Sequence, residues 1–350
     1  MERWVVKLGT GILTDARKRP DLGQMRQLVG QVAALRAAGK QVVLVSSGAV
    51  GAGMGVLGFE RRPAELAELQ ACAAVGQSRL MGVYSDLFEE HGLSVAQVLL
   101  IHDDLRHHDR HLNARNTLMA LLDRGVVPII NENDAVSVTE LKFGDNDRLG
   151  ALVACLLPAD LMVILTTADG LVADFGKSTA KVLPEVTSIN ADIVRLAGGT
   201  TSVTAVGGMA TKVDAARVAM SSGIPMVIAS GRKADTLARI SAGEEEGTLF
   251  VPAARRMRGR KRWIAFFHHP HGRLVVDDGA KKAIREKGKS LLPPGLRRCE
   301  GEFLAGDVVA VCDLEGMEFA RGQAAFDAGE IREGQLKRVE IIHRDNLVVL

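Results

Sequence analysis

The sequence predicts an α/β protein with a central, mostly parallel sheet, followed by a separate small β-rich domain. Three observations carry this expectation. Through the first 250 residues, short β-branched runs alternate with longer amphipathic stretches, which is the rhythm of strand–helix–strand units. Those runs are apolar at nearly every position, as strands buried on both faces require, and such burial goes with parallel pairing. After about Pro252 the runs shorten and are punctuated by Gly and Pro. A chain of 350 residues also exceeds what one hydrophobic core ordinarily organises. The expected division is an α/β domain over 1–252, a basic linker over 253–262 and a β-rich domain over 263–350.

The first expected strand, Trp4–Leu8, ends on Lys7 and runs into Leu8-Gly9-Thr10-Gly11. Small residues there let backbone N–H groups approach a phosphate. A helix over Met25–Ala38 leads to the strand Gln41–Val45, which ends in Ser46-Ser47-Gly48-Ala49, a hydroxyl-bearing turn. The glycines of Gly53-Met54-Gly55-Val56-Leu57-Gly58 match GxGxxG. They start several residues past the strand, so a flexible loop is expected rather than a dinucleotide fingerprint. After a helix over Ala64–Glu90 and a strand over Ser94–Leu100 come His102, His107, His108 and His111 among Asp103, Asp104 and Asp109. Without an apolar face, this cluster reads as a solvated segment rather than a zinc site.

A helix over Asn113–Asp123 precedes the strand Val126–Ile130, which runs into Asn131-Glu132-Asn133-Asp134. Four consecutive amide and acid side chains after a buried strand exceed what one turn requires. Asp145, Asn146 and Asp147 open a helix running to Leu156, where one Asp can cap and its neighbours bind ligand. The strand Leu161–Leu165 ends in Thr166-Thr167-Ala168-Asp169-Gly170. Finally Val206-Gly207-Gly208-Met209-Ala210-Thr211-Lys212 opens a helix over Met209–Ser222, ahead of a last strand over Pro225–Ala229. A Gly-rich approach to a helix N-terminus binds anions. Lys212 opposes the macrodipole there, which makes sense if an anion neutralises it.

In the C-terminal part, strands are expected over Trp263–Phe267, Arg273–Val276, Val308–Cys312, Phe319–Gly322 and Val339–Ile342. Residues 253–350 hold 19 Lys plus Arg against 14 Asp plus Glu, partly in the run Arg255–Arg262, so the positive excess is concentrated there. His268, His269 and His271 surround Pro270 in a loop and carry no metal expectation. Cys72, Cys155, Cys299 and Cys312 form no CxxC pair, which argues against a disulfide framework or a cysteine zinc site and for a cytoplasmic setting. No GxxxxGK[ST] is present, so a P-loop is not supported. No stretch approaches the roughly 20 apolar residues of a bilayer span.

Several of these strings together resemble the glutamate 5-kinase family: Val5-Val6-Lys7-Leu8-Gly9-Thr10, Val45-Ser46-Ser47-Gly48-Ala49, Ala73–Leu80, Asn131–Val136, Gly144-Asp145-Asn146-Asp147 and Gly207–Lys212. Lys261-Arg262-Trp263 and Ser290-Leu291-Leu292-Pro293 look like the PUA domain that bacterial members carry. The resemblance implies an amino-acid-kinase three-layer sandwich, ATP-dependent phosphorylation of the glutamate γ-carboxylate in proline synthesis, and inhibition by proline. It implies catalytic roles for Lys7, Lys212 and Asp147, with Asp147 orienting the two lysines. Ser47, Asp134 and Asn146 would bind glutamate. Lys7, Gly9, Thr166, Thr167, Gly207, Gly208, Met209, Ala210, Thr211 and Lys212 would line the nucleotide, and Mg²⁺ would arrive on the ATP phosphates. A homo-oligomer is expected, and RNA is a possible partner of the PUA-like domain. Thr167 stands where related kinases commonly carry Asp, Thr204-Ala205-Val206 is less glycine-rich than usual, and the span from Phe326 to Val339 is shorter.

A γ-carboxylate of pKa near 4.3 is ionised at neutral pH, so phosphoryl transfer to it needs no general base. Alternative readings are a kinase of aspartate, N-acetylglutamate or a nucleoside monophosphate, an RNA-binding factor, and a dinucleotide oxidoreductase. The appended β domain and Asn131–Val136 weigh against the first. The low aromatic content of 4% leaves few stacking platforms for the second. The third rests on Gly53–Gly58 alone.

Overall fold

The computed structural model describes residues 2–15, 19–137, 145–174, 176, 178–198, 208–252, 259–267, 270–334, 336 and 339–350. Its chain divides into two compact units, Met1–Arg256 and Met257–Leu350. Residues 253–258 of the expected 253–262 linker, together with Gly207 and the histidines His268 and His269, lie outside the described residues, while its residues 259–262 open a helix.

Within the first unit the described elements run β1 (Arg3–Leu8), α1 (Thr10–Leu13), α2 (Leu22–Ala37), β2 (Gln41–Val45), α3 (Ala49–Leu57), α4 (Leu66–Glu89) and β3 (Val95–Leu100). They continue with α5 (His102–Arg106), α6 (His108–Asp123), β4 (Val127–Glu132), α7 (Asp145–Leu156), β5 (Leu161–Thr166), β6 (Val172–Ala173), β7 (Lys181–Val182) and β8 (Glu185–Val186). The unit closes with α8 (Ala191–Gly198), α9 (Met209–Ser221), β9 (Met226–Ser230), α10 (Thr236–Ala242) and β10 (Thr248–Phe250). Among the described residues one eight-stranded sheet forms, in the order β3-β4-β2-β1-β5-β9-β10-β8. Every pairing in it is parallel except β9 with β10.

Register decides where the polar strand ends meet. Lys7 lies level with Val45 on one side and Ile164 on the other. Val45 is level with Ile130, and Thr166 with Ser230. Ser46, Asn131, Thr166 and the residues after Lys7 therefore share one edge, the carboxyl-end crevice where open α/β sheets bind ligands. Below that edge Val5, Val6, Val43, Leu44, Ile129, Val163 and Ile164 are fully buried, which explains the uninterrupted apolar runs.

The expected flexible loop at Gly53–Gly58 is instead mostly helix. Residues Ala49–Leu57 form α3, entered through Gly48 at φ 100°. Its glycines serve packing: a Cβ on Gly53 would lie 1.8 Å from the Cys72 carbonyl oxygen, and one on Gly76 would lie 1.7 Å from that of Ala49. The backbones of α3 and α4 thus touch, and no side chain fits between them. Gly76→Ala is expected to cost about 3 kcal/mol or more by overpacking, lowering Tm by roughly 6–12 °C. An unchanged thermal midpoint would contradict this.

The second unit comprises α11 (Gly259–Phe266), β11 (Gly272–Val276), α12 (Asp278–Lys287), β12 (Leu296–Gly301), β13 (Val308–Cys312), β14 (Glu318–Gln323), α13 (Ala328–Arg332) and β15 (Leu347–Val349). Its five strands order as β12-β11-β13-β14-β15. Two expected strands fail. Trp263–Phe267 falls mainly in helix α11, where Ile264 and Ala265 bury against Val308 and Val348. Val339–Ile342 contributes only an isolated bridge from Ile342 to Leu291. Aromatic and β-branched residues read as strand in isolation, but packing against a sheet face decides their state.

Candidate active site

The crevice centres on Asp147, in the first turn of α7 and fully buried. Lys7 Nζ lies 2.7 Å from Asp147 Oδ1, and Lys212 Nζ lies 3.1 Å from Oδ2. Both lysines are themselves about 95% buried. Gly150, one turn along α7, lets the helix pass the Lys7 stem: a Cβ there would meet Lys7 Cβ at 3.5 Å and the Met162 methyl at 3.0 Å. The Thr211 hydroxyl sits 2.8 Å from Asp147 Oδ2 and 2.8 Å from the Gly208 carbonyl, so its single proton goes to one or the other.

Two ammoniums facing one carboxylate leave a net positive charge in a dry place. Burial opposes ionisation of Asp147, but the charges of Lys7 and Lys212 and their hydrogen bonds prevail and hold its carboxyl below the ordinary aspartate range. Burial, with repulsion from Lys7, pushes the Lys212 ammonium below its ordinary value despite Asp147. Such a lysine binds its proton more weakly than in water, and an anion placed against it favours the protonated form. We expect the affinity of this pair for an anion to fall as pH rises through this depressed value, below the roughly 10.4 of free lysine. Anion affinity holding level up to ordinary lysine ionisation would contradict this.

Two helices aim uncapped N-termini from this edge. Gly208 precedes α9 and Gly48 precedes α3, so neither N-cap residue has a side chain with which to cap its helix. Their first N–H groups are left for an acceptor of another kind. Met209 is buried and Ala210 exposed at the start of α9. Across the crevice, Gly9 N donates to the Leu165 carbonyl, and a Cβ on Gly9 would lie 3.7 Å from Lys7 Nζ. Thr166 is half-buried at the end of β5, and exposed Thr167 places its methyl against Gly11.

A second polar cluster adjoins the lysines through Asn146, the residue before Asp147. Asn146 Nδ2 lies 3.0 Å from the Ser46 carbonyl, from Ser47 Oγ and from Asn131 Oδ1. Ser46 Oγ meets the Tyr84 hydroxyl at 2.9 Å. Tyr84 is wholly buried, and burial pushes its phenol up despite that bond. Asp134 follows β4 and is half-buried. With Glu132, Asn133, Gln77 and Gln97 it borders a cavity of about 400 Å³.

The structure therefore brings Lys7, Asp147, Thr211 and Lys212 into one contact set and Ser47 with Asn146 into another, joined by consecutive residues of α7. Asp134 stands at the neighbouring cavity, and Gly207 lies outside the described residues. Sequence reasoning missed Gly150, Tyr84 and Gln77. A signal for Gln77 exists: it falls in the buried stripe of α4 with Leu69, Ala73, Leu80 and Tyr84, where a polar side chain needs a partner.

Known proteins resemble this chain over most of its length. A model of the amino acid kinase family matches residues 2–230, and one of the PUA domain matches 272–345. A glutamate 5-kinase of Pelobacter propionicus is 47% identical over 365 residues, covering 100% of this chain and 98% of that protein. One of Moorella thermoacetica is 48% identical over 363 residues, covering 99% and 96%. Among solved structures, UMP kinase from Bacillus anthracis superposes with TM-score 0.51 at 16% identity, covering 72% of this chain and 97% of its own. Carbamate kinase from Giardia lamblia gives 0.52 at 19%, covering 72% and 99%. At such identities these structures speak for the fold alone.

Proposed function

The chain belongs to the amino acid kinase family, in the branch of the glutamate 5-kinases, and from that premise we propose that its first unit transfers the γ-phosphoryl group of ATP to the side-chain carboxylate of L-glutamate. The product is L-glutamyl 5-phosphate, and the reaction opens proline biosynthesis. The observation that carries this reading is the buried Lys7–Asp147–Lys212 trio, joined through Asn146 to the Ser46–Ser47 turn.

One γ-carboxylate oxygen of glutamate attacks the γ-phosphorus. The bond to the β,γ-bridging oxygen breaks, and ADP leaves with its electron pair. The nucleophile is already an anion at neutral pH, so the protein's work is to hold two anions in line and to stabilise charge on the phosphoryl oxygens. Lys7 and Lys212 do the latter, and Asp147 aims them. Gly9, Thr166, Thr167, Gly207, Gly208 and the first residues of α9, Met209, Ala210, Thr211 and Lys212, would line the nucleotide, with the first N–H groups of α9 turned to phosphate. Ser47, Asp134 and Asn146 hold glutamate.

Mg²⁺ would be carried by the ATP phosphates and would neutralise charge there, while Asp147 pairs with the two lysines. The four cysteines are free thiols, which suits a reducing cytoplasm. No helix among the described residues is long and apolar enough to cross a membrane. Proline as a feedback inhibitor, a homo-oligomeric assembly and an RNA contact on the PUA domain extend the proposal. The test is turnover with ATP and Mg²⁺ on glutamate, aspartate and N-acetylglutamate, trapping acyl phosphate with hydroxylamine. Hydroxamate from glutamate in large excess over the other two is expected. Preference for either other acid would overturn the substrate.

A further inference from the structure

The amides beside the Ser46–Ser47 turn form a chain whose direction is set at two backbone anchors. The Ser46 carbonyl only accepts, so the Asn146 amide must present its NH₂ there. The Glu132 N–H only donates, so Asn131 Oδ1 is the atom that meets it, at 3.0 Å. The same Oδ1 accepts from Asn146, and the Asn131 NH₂ must then face away, where it donates to Gln77 Oε1 at 2.9 Å. Gln77 in turn donates to Gln97 Oε1 at 3.0 Å, on the edge strand β3. Asn131 is 1% and Gln77 8% exposed, so water does not readily replace these bonds.

The consequence falls at the inner end. With the two N–H groups of its NH₂ shared among three acceptors, Asn146 is left with a buried Oδ1 that has no hydrogen-bond partner among the described residues. A buried acceptor without a donor is costly. The group that relieves it is a donor, and in the glutamate reading the α-ammonium is the donor that the γ-carboxylate and α-carboxylate cannot supply.

We propose that Gln77 is a positioning residue that braces this amide chain in the direction its backbone anchors set, so that Asn146 Oδ1 faces the substrate ammonium and the site prefers a free α-amino acid. The inference rests on the reading of Asn146 as a glutamate-binding residue. Gln77 acts by holding the Asn131 amide, which holds that of Asn146.

The test compares glutamate with glutarate, the same carbon chain without the amine, on the full chain and on three variants checked for folding by circular dichroism. Gln77→Met removes the acceptor at nearly constant volume, and Gln77→Leu is a second apolar variant. Gln77→Glu keeps an acceptor towards Asn131 in either protonation state. For both apolar variants KM for glutamate should rise about tenfold, the worth of one buried hydrogen bond. KM for glutarate, KM for ATP and kcat should move less than about twofold, and Gln77→Glu should restore most of the glutamate KM. An equal rise for glutamate and glutarate, or a loss of kcat with KM unchanged, would overturn the proposal. If the unmodified protein does not turn over glutamate, the functional reading falls first and the inference with it.

Discussion

Asp147→Asn should abolish nearly all turnover and also weaken the fold, the largest combined effect expected of any single substitution here. The carboxylate is fully buried between Lys7 Nζ and Lys212 Nζ at 2.7 and 3.1 Å. Removing its charge leaves two ammoniums facing a neutral amide, one side of which presents further N–H donors. Breaking a buried pair this way costs roughly 3–5 kcal/mol. Turnover should fall by roughly two to three orders of magnitude, the usual scale for losing a preorganised electrostatic element. Asp147 has a lowered pKa in the folded state. Its stabilisation is therefore fully present above the ordinary aspartate range and is lost as pH falls through the depressed value. The Asn variant should lack that acid-side component in a stability-versus-pH series. Near-normal turnover in a folded Asp147→Asn protein would remove Asp147 from the centre of the account.

Lys7→Ala and Lys212→Ala should each lower kcat by roughly two or more orders of magnitude, while glutamate binding largely survives. The division follows from geometry: the lysines meet Asp147, whereas Asn146 donates to Ser47 Oγ and to the Ser46 carbonyl. Loss of interactions made mainly in the transition state lowers kcat and kcat/KM together. The check is steady-state kinetics of both variants alongside a direct glutamate-binding measurement. Normal kcat for both would refute phosphate stabilisation by these lysines.

Much of this site was legible because buried parallel strands advertise their ends. An apolar run stopping at Lys7, at Ser46, at Asn131 or at Thr166 marks the crevice edge without knowledge of the topology, and the registers place those ends level. What the chain order hides is which ends touch: Lys7, Asp147 and Lys212 meet only because β1, α7 and α9 pack together. The α3 helix was obscured by its glycines, which disfavour helix in isolation but here permit backbone contact with α4. Strand β12, Leu-Arg-Arg-Cys-Glu-Gly, is a charged edge strand and lacks the apolar signal altogether. Gln97 looks like an ordinary surface amide until three-dimensional packing links it, through Gln77, to Asn131.

The central claim is that the glutamate carboxylate itself attacks phosphorus, and oxygen labelling tests it most directly. Glutamate carrying ¹⁸O in its γ-carboxylate is turned over with unlabelled ATP, and the acyl phosphate is trapped with hydroxylamine. Hydroxylamine attacks the acyl carbon, so the bridging oxygen departs with phosphate. The account predicts one ¹⁸O per released phosphate, read by ³¹P NMR, in amounts matching the hydroxamate formed. Phosphate without label would mean that water, not the carboxylate, takes the phosphoryl group, and would contradict the account.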